Sequence, residues 1–149
     1  MIKITSIRNI KPEEFDETWM IMRSLKKPIK NTKQVVNLSP STSLFFKVQN
    51  LKKENKWTKE TFNSFYVPLF LQELSNNSEA IRLLNDLYIQ DKQGKNICLA
   101  CFCSNEELCH RSIIAGLLQG VGCNIITDTN NDYSSYWKEW RKLREMTEE

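Results

Sequence analysis

From Ile97 to Cys103 the chain reads Ile-Cys-Leu-Ala-Cys-Phe-Cys, an unbroken apolar run of strand length. A strand that alternates apolar and polar residues covers one face of a sheet. A strand that is apolar throughout must be buried on both faces, which suits the middle of a mostly parallel sheet flanked by helices. The polar stretch Ser104-Asn-Glu-Glu follows, and then Ile113, Ile114, Leu117, Leu118 and Val121 repeat at helical spacing. Strand, short loop and helix in that order make half of a parallel crossover unit.

Composition sharpens the location. All five cysteines and all four glycines lie between Gly94 and Cys123. A chain of 149 residues with 40% apolar and 26% charged residues is an ordinary globular domain, long enough for one core. We therefore expect a single α/β domain over residues 1–149. No apolar run reaches the length of a membrane span, and Met1-Ile-Lys-Ile-Thr-Ser-Ile lacks the pattern of a secretory signal. The expected location is cytoplasmic, where an odd number of cysteines means thiols or metal ligands rather than a disulfide framework.

Other elements follow from local chemistry. Ile2 to Ser6 alternates and predicts a strand. Pro12 with Glu13 and Glu14 suits a helix start, and Phe15, Trp19, Met20 and Met22 would form its apolar stripe. Gln34 to Leu38 predicts a second strand; Leu44 to Val48 is apolar enough for another, but its flanks resemble loops. Thr58 is a helix cap, with Trp57 and Phe62 spaced as a hydrophobic staple and a kink expected near Pro68. Ser78 caps another helix, with Gly94 after its end. Cys123 to Thr127 predicts the last strand, and Asp132 caps a final helix bearing Tyr136, Trp137, Trp140 and Leu143. The Tyr133, Tyr136, Trp137 and Trp140 group has the spacing of core packing. Gly116 and Gly120 would let their helix lie close to the sheet. With alternating strands and helices, the expectation is three layers around a mostly parallel sheet of about four strands.

The chemistry concentrates where the apolar strand meets its helix. Cys101 and Cys103 are two apart and share a strand face. Cys109 lies at the helix start, where a thiol pKa tends to fall. His110, the only histidine, is a proton carrier near neutral pH. Arg111 and Ser112 sit in the first helical turn, beside unpaired backbone N–H groups that favour an anion. Thr5 and Ser6 end the first strand and would reach the same sheet edge. Three readings stay open. Cys109, His110 and Cys101 act as catalytic groups, with Arg111, Ser112, Cys103, Thr5 and Ser6 binding an anionic ligand. Alternatively, Cys101, Cys103, Cys109 and His110 ligate zinc, against which stand the lack of a C-x₂₋₄-C spacing and the divergence of neighbouring residues on a helix. In the third, the thiols are small buried hydrophobes, the default for Cys98 and Cys123.

A second region has unusual charge. Lys26 to Lys59 holds nine lysines and one acid, Glu54, without an arginine. Such a segment would meet nucleic acid or an acidic protein, or simply be a solvated connection. The missing arginines argue against reading base edges.

At the junction, Ile97-Cys-Leu-Ala-Cys-Phe-Cys-Ser-Asn-Glu-Glu-Leu-Cys-His-Arg-Ser-Ile-Ile-Ala-Gly-Leu-Leu118 resembles the signature of the domain-of-unknown-function 488 family. In that family an apolar strand ends in a cysteine and a short loop leads to Cys-His-Arg at a helix start. Cys101 matches the first cysteine, and Cys109-His110-Arg111 the triplet. Cys103 departs from the pattern, standing where many members carry glutamate. The Cys-x-Cys form is also similar to the domain-of-unknown-function 4326 family. The resemblance implies a Rossmann-like α/β fold with its site at this junction, and small members are frequent in bacterial and phage genomes; it implies no settled activity. The expected function is to bind, and to cleave or transfer, a nucleotide-like or other phosphorylated small molecule. As an enzyme the chain would be a thiol-dependent hydrolase or transferase. The alternatives are a non-catalytic module using residues 26–59 for nucleic acid or a host protein, or a zinc-stabilised domain.

Overall fold

The computed structural model describes residues 1–23 and 27–147. Five strands form one sheet: β1 (Ile2–Ser6), β2 (Glu17–Met20), β3 (Lys33–Gln34), β4 (Ile97–Cys101) and β5 (Ile125–Thr127). Their order is β3-β2-β4-β1-β5 and every pairing is parallel. The parallel sheet agrees with the expectation and has one strand more. β4 lies between β1 and β2, and all five of its residues are buried, which is why the sequence is apolar without alternation there.

Register assigns the faces. Ile97, Leu99 and Cys101 stand beside Ile2, Ile4 and Ser6 of β1, and Leu99 beside Trp19 of β2. Cys98 and Ala100 share the other face with Lys3, Thr5, Thr18 and Met20. The short β1-to-β2 crossover crosses that second face through 3₁₀ turns at Ile7–Asn9 and Pro12–Glu14, where Lys3, Thr5 and Cys98 line a hollow with Arg8, Ile10 and Phe15. The helices occupy the Cys101 face.

Those helices are α1 (Thr42–Lys53), the three-residue α2 (Lys59–Thr61), α3 (Val67–Ser75), α4 (Ser78–Lys92), α5 (His110–Gly120) and α6 (Ser135–Thr147). Thr58 caps α2 by accepting from the Thr61 N–H, and the Trp57 and Phe62 rings meet edge-on at 5.8 Å, as the staple predicts. A π-helical turn, Phe62–Tyr66, joins α2 to α3 directly ahead of Pro68. Proline offers no N–H to the carbonyl four residues back and crowds it, so the helix widens there. Trp19, Phe62 and Phe70 are fully buried, each worth about 1.5–3 kcal/mol of transfer from water. No described helix is long and apolar enough to cross a membrane.

Several local expectations are corrected, and Asn77 rather than Ser78 caps α4, accepting from the Ala80 N–H at 3.1 Å. Phe15 to Met22 is not a helix: only Pro12–Glu14 turns, and Glu17–Met20 is β2. The spacing of Phe15, Trp19 and Met22 imitates a helical stripe, but Trp19 to Met22 is an apolar run buried on both sides, which a central strand satisfies equally well. Leu44 to Val48 is helical, because the Ser41 hydroxyl caps α1 by accepting from the Leu44 N–H at 3.1 Å. Between Gln34 and Leu38 the strand stops early and Val36–Leu38 forms a 3₁₀ turn. Gly116 and Gly120 allow close approach, but to the neighbouring segment rather than to the sheet. A Cβ on Gly116 would lie 2.1 Å from the Tyr133 carbonyl oxygen, and one on Gly120 2.3 Å from the Trp137 side chain.

Candidate thiol site and its cavity

The site is built where β4 stops. Cys101 is its last residue, and the loop beyond carries Cys103 before a 3₁₀ turn at Glu106–Leu108, which Asn105 caps by accepting from the Glu107 N–H. Cys109 then serves as the extended N-cap of α5, with φ −124° and ψ 146°. Because Cys109 is not yet helical, its side chain is free of the divergence expected between neighbours on a helix. Its sulfur lies 3.0 Å from that of Cys101 and 3.6 Å from His110 Nδ1. The sulfurs of Cys101, Cys103 and Cys109 all fall within 4.8 Å of one another, a span that one metal ion can bridge. His110 is not part of that group.

The histidine tautomer follows from its partners. His110 Nε2 is 2.6 Å from the Ile21 carbonyl oxygen. A carbonyl only accepts, so Nε2 carries the hydrogen. Burial pushes the imidazole pKa down and keeps the ring neutral. Nδ1 therefore presents its lone pair to the Cys109 thiol. The Phe70 ring meets the imidazole edge-on at 5.7 Å and holds its orientation.

Arg111 takes a different part from the expected one. Its side chain is 1% exposed, and Nη1 donates to Cys101 Sγ at 3.2 Å and to the Cys103 carbonyl oxygen. The guanidinium is thus directed at the thiol group and its loop, away from the space in which a ligand would sit. Its charge favours one thiolate among three sulfurs. That thiolate falls on Cys103, whose pKa is held well below the usual thiol range by hydrogen bonds from the Cys101 and Cys109 thiols. The hydrogen bond to Cys103 pushes Cys101 up to about 11, and burial pushes Cys109 well up. The expected fall at the helix start therefore appears on Cys103 instead of Cys109, because full burial of Cys109 outweighs the helix dipole.

These sulfurs and His110 line a cavity of about 270 Å³. Its walls are aromatic, from Phe45, Trp57, Tyr66 and Phe102, with Arg23 and Lys52 supplying positive charge. Burial, then the neighbouring cysteines, push the Tyr66 phenol well above its ordinary pKa, so it stays protonated. Of the residues expected here, Ser112 is fully buried and its hydroxyl donates to the Cys109 carbonyl oxygen at 2.8 Å, outside the cavity lining. Thr5 donates to Asp128 at 2.9 Å, and Ser6, the β1 neighbour of Cys101, accepts from the Arg8 N–H at 3.4 Å; neither lines the cavity. The structure thus brings together Cys101, Cys103, Cys109 and His110, with Arg111 behind them.

Several site residues were not foreseen. Phe45, Val48, Gln49 and Lys52 fall at i, i+3, i+4 and i+7 on α1; the Ser41 cap was the available signal for that helix. Glu106 is 3% exposed, and its carboxylate accepts from the Asp128 N–H at 2.9 Å, from the Tyr133 hydroxyl at 2.6 Å and from the Thr129 hydroxyl. It clamps the thiol loop to the segment after β5. The lysine-rich segment is divided. Lys33, Lys56 and Lys59 pair with Glu17, Glu54 and Glu107 at 3.2, 3.5 and 3.6 Å, and Lys26 lies outside the described residues.

Residues 2–122 match the family model DUF488-N3a, described as the active DUF488-N3 subclade. No curated protein matches the chain, and no solved structure does. The likeness to the 4326 family remains one of the Cys-x-Cys residues alone. The match spans β1 to β4 and α5, including the cavity and the Cys-His-Arg triplet, and it places this chain in the domain-of-unknown-function 488 family.

Proposed function

We propose that the cavity binds a nucleotide-like or otherwise phosphorylated small molecule, and that the chain is a thiol-dependent hydrolase or transferase acting on it. The observation that carries this reading is the meeting, in one cavity, of a polarised group of three thiols with aromatic walls and two cations. Phe45, Trp57 and Phe102 offer faces to a planar ring. Arg23 and Lys52 offer charge to a phosphate, a task that Arg111 leaves to them. Cys103 is the attacking group, since it is partly accessible and its sulfur is the most acidic of the three. Its sulfur forms a bond to the electrophilic carbon as the bond to the departing group breaks, and that group leaves with the electron pair. Water or a second acceptor then displaces the sulfur.

Calorimetric titration with nucleoside monophosphates and sugar phosphates tests the reading. It predicts heat for at least one of them, and affinity lowered by about tenfold or more in the Arg23→Ala, Lys52→Ala double variant. No heat across the panel, or unchanged affinity in the double variant, contradicts it.

One observation favours a second reading, zinc at Cys101, Cys103 and Cys109. Their spacing within 4.8 Å is near the roughly 3.8 Å between sulfurs on a tetrahedral zinc with bonds of about 2.3 Å. Three thiolates with Zn²⁺ carry one net negative charge, which Arg111 would offset. Metal analysis after addition of zinc to metal-free protein and removal of the excess decides this. About one equivalent, lost in Cys103→Ser, supports it; less than about a tenth of an equivalent contradicts it.

A further inference from the structure

The cavity mouth continues onto α1, and the surface there is unlike that of an ordinary solvated helix. Leu44 and Val48 make the buried contacts of α1, so the helix does not need its neighbouring phenyl rings for packing. Yet Phe45 and Phe46 are 42% and 59% exposed, with their rings 5.7 Å apart and edge-on. Phe102, on the loop after β4, is 52% exposed across the same cavity. Three large aromatic side chains left in water around one opening mark a contact surface. Charge completes the pattern. Lys52 and Lys53 rise from the same helix, and neither meets a carboxylate among the described residues, unlike Lys33, Lys56 and Lys59; Lys47 borders a separate hollow on the other side of α1.

We infer that α1 and the rim of the cavity bind a single-stranded polynucleotide, with Phe45, Phe46 and Phe102 stacking on bases and Lys52 and Lys53 meeting phosphates. The inference rests on the nucleotide-like reading of the cavity, which it sharpens: the ligand is one nucleotide of a strand, and its base enters between Phe45 and Phe102. A single strand is favoured over a duplex because only unstacked bases offer their faces to aromatic rings. An acidic protein would use the lysines but leave the three phenyl rings unexplained. The charges that α1 offers are lysines, with no arginine from Lys26 to Lys59, so phosphate contact and stacking dominate and binding tolerates sequence. Stacking and charge do not read the 2′ position, so DNA and RNA strands bind alike.

Fluorescence anisotropy with labelled oligothymidylate and oligouridylate of about twelve nucleotides tests this, with a duplex of equal length and polyglutamate as competitors. The single strands are expected to bind more tightly than the mononucleotide. About two phosphate contacts on a single strand give a log–log salt slope near −1.4. Phe46→Ala, which lies outside the cavity lining, is expected to weaken strand binding about five- to hundredfold and mononucleotide binding by much less. Strands no tighter than the mononucleotide, no salt dependence, or equal competition by duplex or polyglutamate would each overturn the inference while leaving the cavity reading intact. Salt-dependent, Phe46-sensitive strand binding by a protein that gives no heat with any mononucleotide keeps the surface and removes the cavity reading.

Discussion

Three residues apart in one loop, Cys103 and Glu106 lie in opposite polar environments. Glu106 is a buried carboxylate that accepts from a backbone N–H and two hydroxyls, all belonging to the segment after β5. Nothing is left over for a ligand. Cys103 lies partly open on a cavity, with a sulfur whose charge is supported by two neighbouring thiols. Cys103 precedes the 3₁₀ turn that Asn105 caps, and Glu106 is the first residue inside it. A saturated polar centre stabilises the fold; an unsaturated one beside it is free for chemistry.

The largest expected effect breaks the clamp. Glu106→Ala removes three hydrogen bonds, one of them from the buried Tyr133 hydroxyl, and should cost about 2–4 kcal/mol in urea unfolding, whereas Cys103→Ser should cost less than about 1 kcal/mol. Equal losses would erase the distinction between the two centres. Next comes the thiol group's charge. Replacing Arg111 by Met should slow alkylation of Cys103 at neutral pH by about tenfold or more, while Arg111→Lys, which keeps the charge, should recover part of the rate. An unchanged rate in Arg111→Met would mean that the thiolate does not depend on the guanidinium.

A pH series probes the same region through His110. Its pKa is lowered in the folded protein by burial, so below the unfolded value near 6.5 the unfolded chain binds a proton that the folded chain resists. Stability should therefore fall as the pH drops from 6.5, by up to about 1.4 kcal/mol per pH unit until the folded group also protonates. His110→Gln should flatten that slope; an equal slope in the variant assigns it to other groups. The smallest effect is expected at Thr5, which serves Asp128 and not the cavity. Thr5→Val should cost about 0.5–1.5 kcal/mol and leave Cys103 alkylation unaltered.

The sequence was legible where burial is total or chemistry is local. β4 is apolar because both its faces are covered, and Cys109-His110-Arg111 stands at a helix start that the polar loop before it announces. β2 was hidden because the spacing of Phe15, Trp19 and Met22 fits a helical stripe as well as a strand. The direction of Arg111 could not be read either, since helical position alone does not say whether a guanidinium faces a ligand or a sulfur. The walls of the cavity come from α1 and the π-helical turn, more than thirty residues before β4 in the chain. Only the fold joins them to the thiols.

The central claim is that one of five cysteines is the reactive one. Limiting iodoacetamide at pH 6.5, followed by mass spectrometry of the cysteine peptides of metal-free protein, tests it directly. Cys98 and Cys123 are pushed up to about 11 by burial, Cys101 to about 11 by its hydrogen bond to Cys103, and buried Cys109 well above its ordinary value, so all four should label after Cys103. Cys103 should label first, and more slowly once the cavity is filled by a nucleoside monophosphate. Labelling of Cys98 or Cys123 as fast as Cys103 would contradict the account.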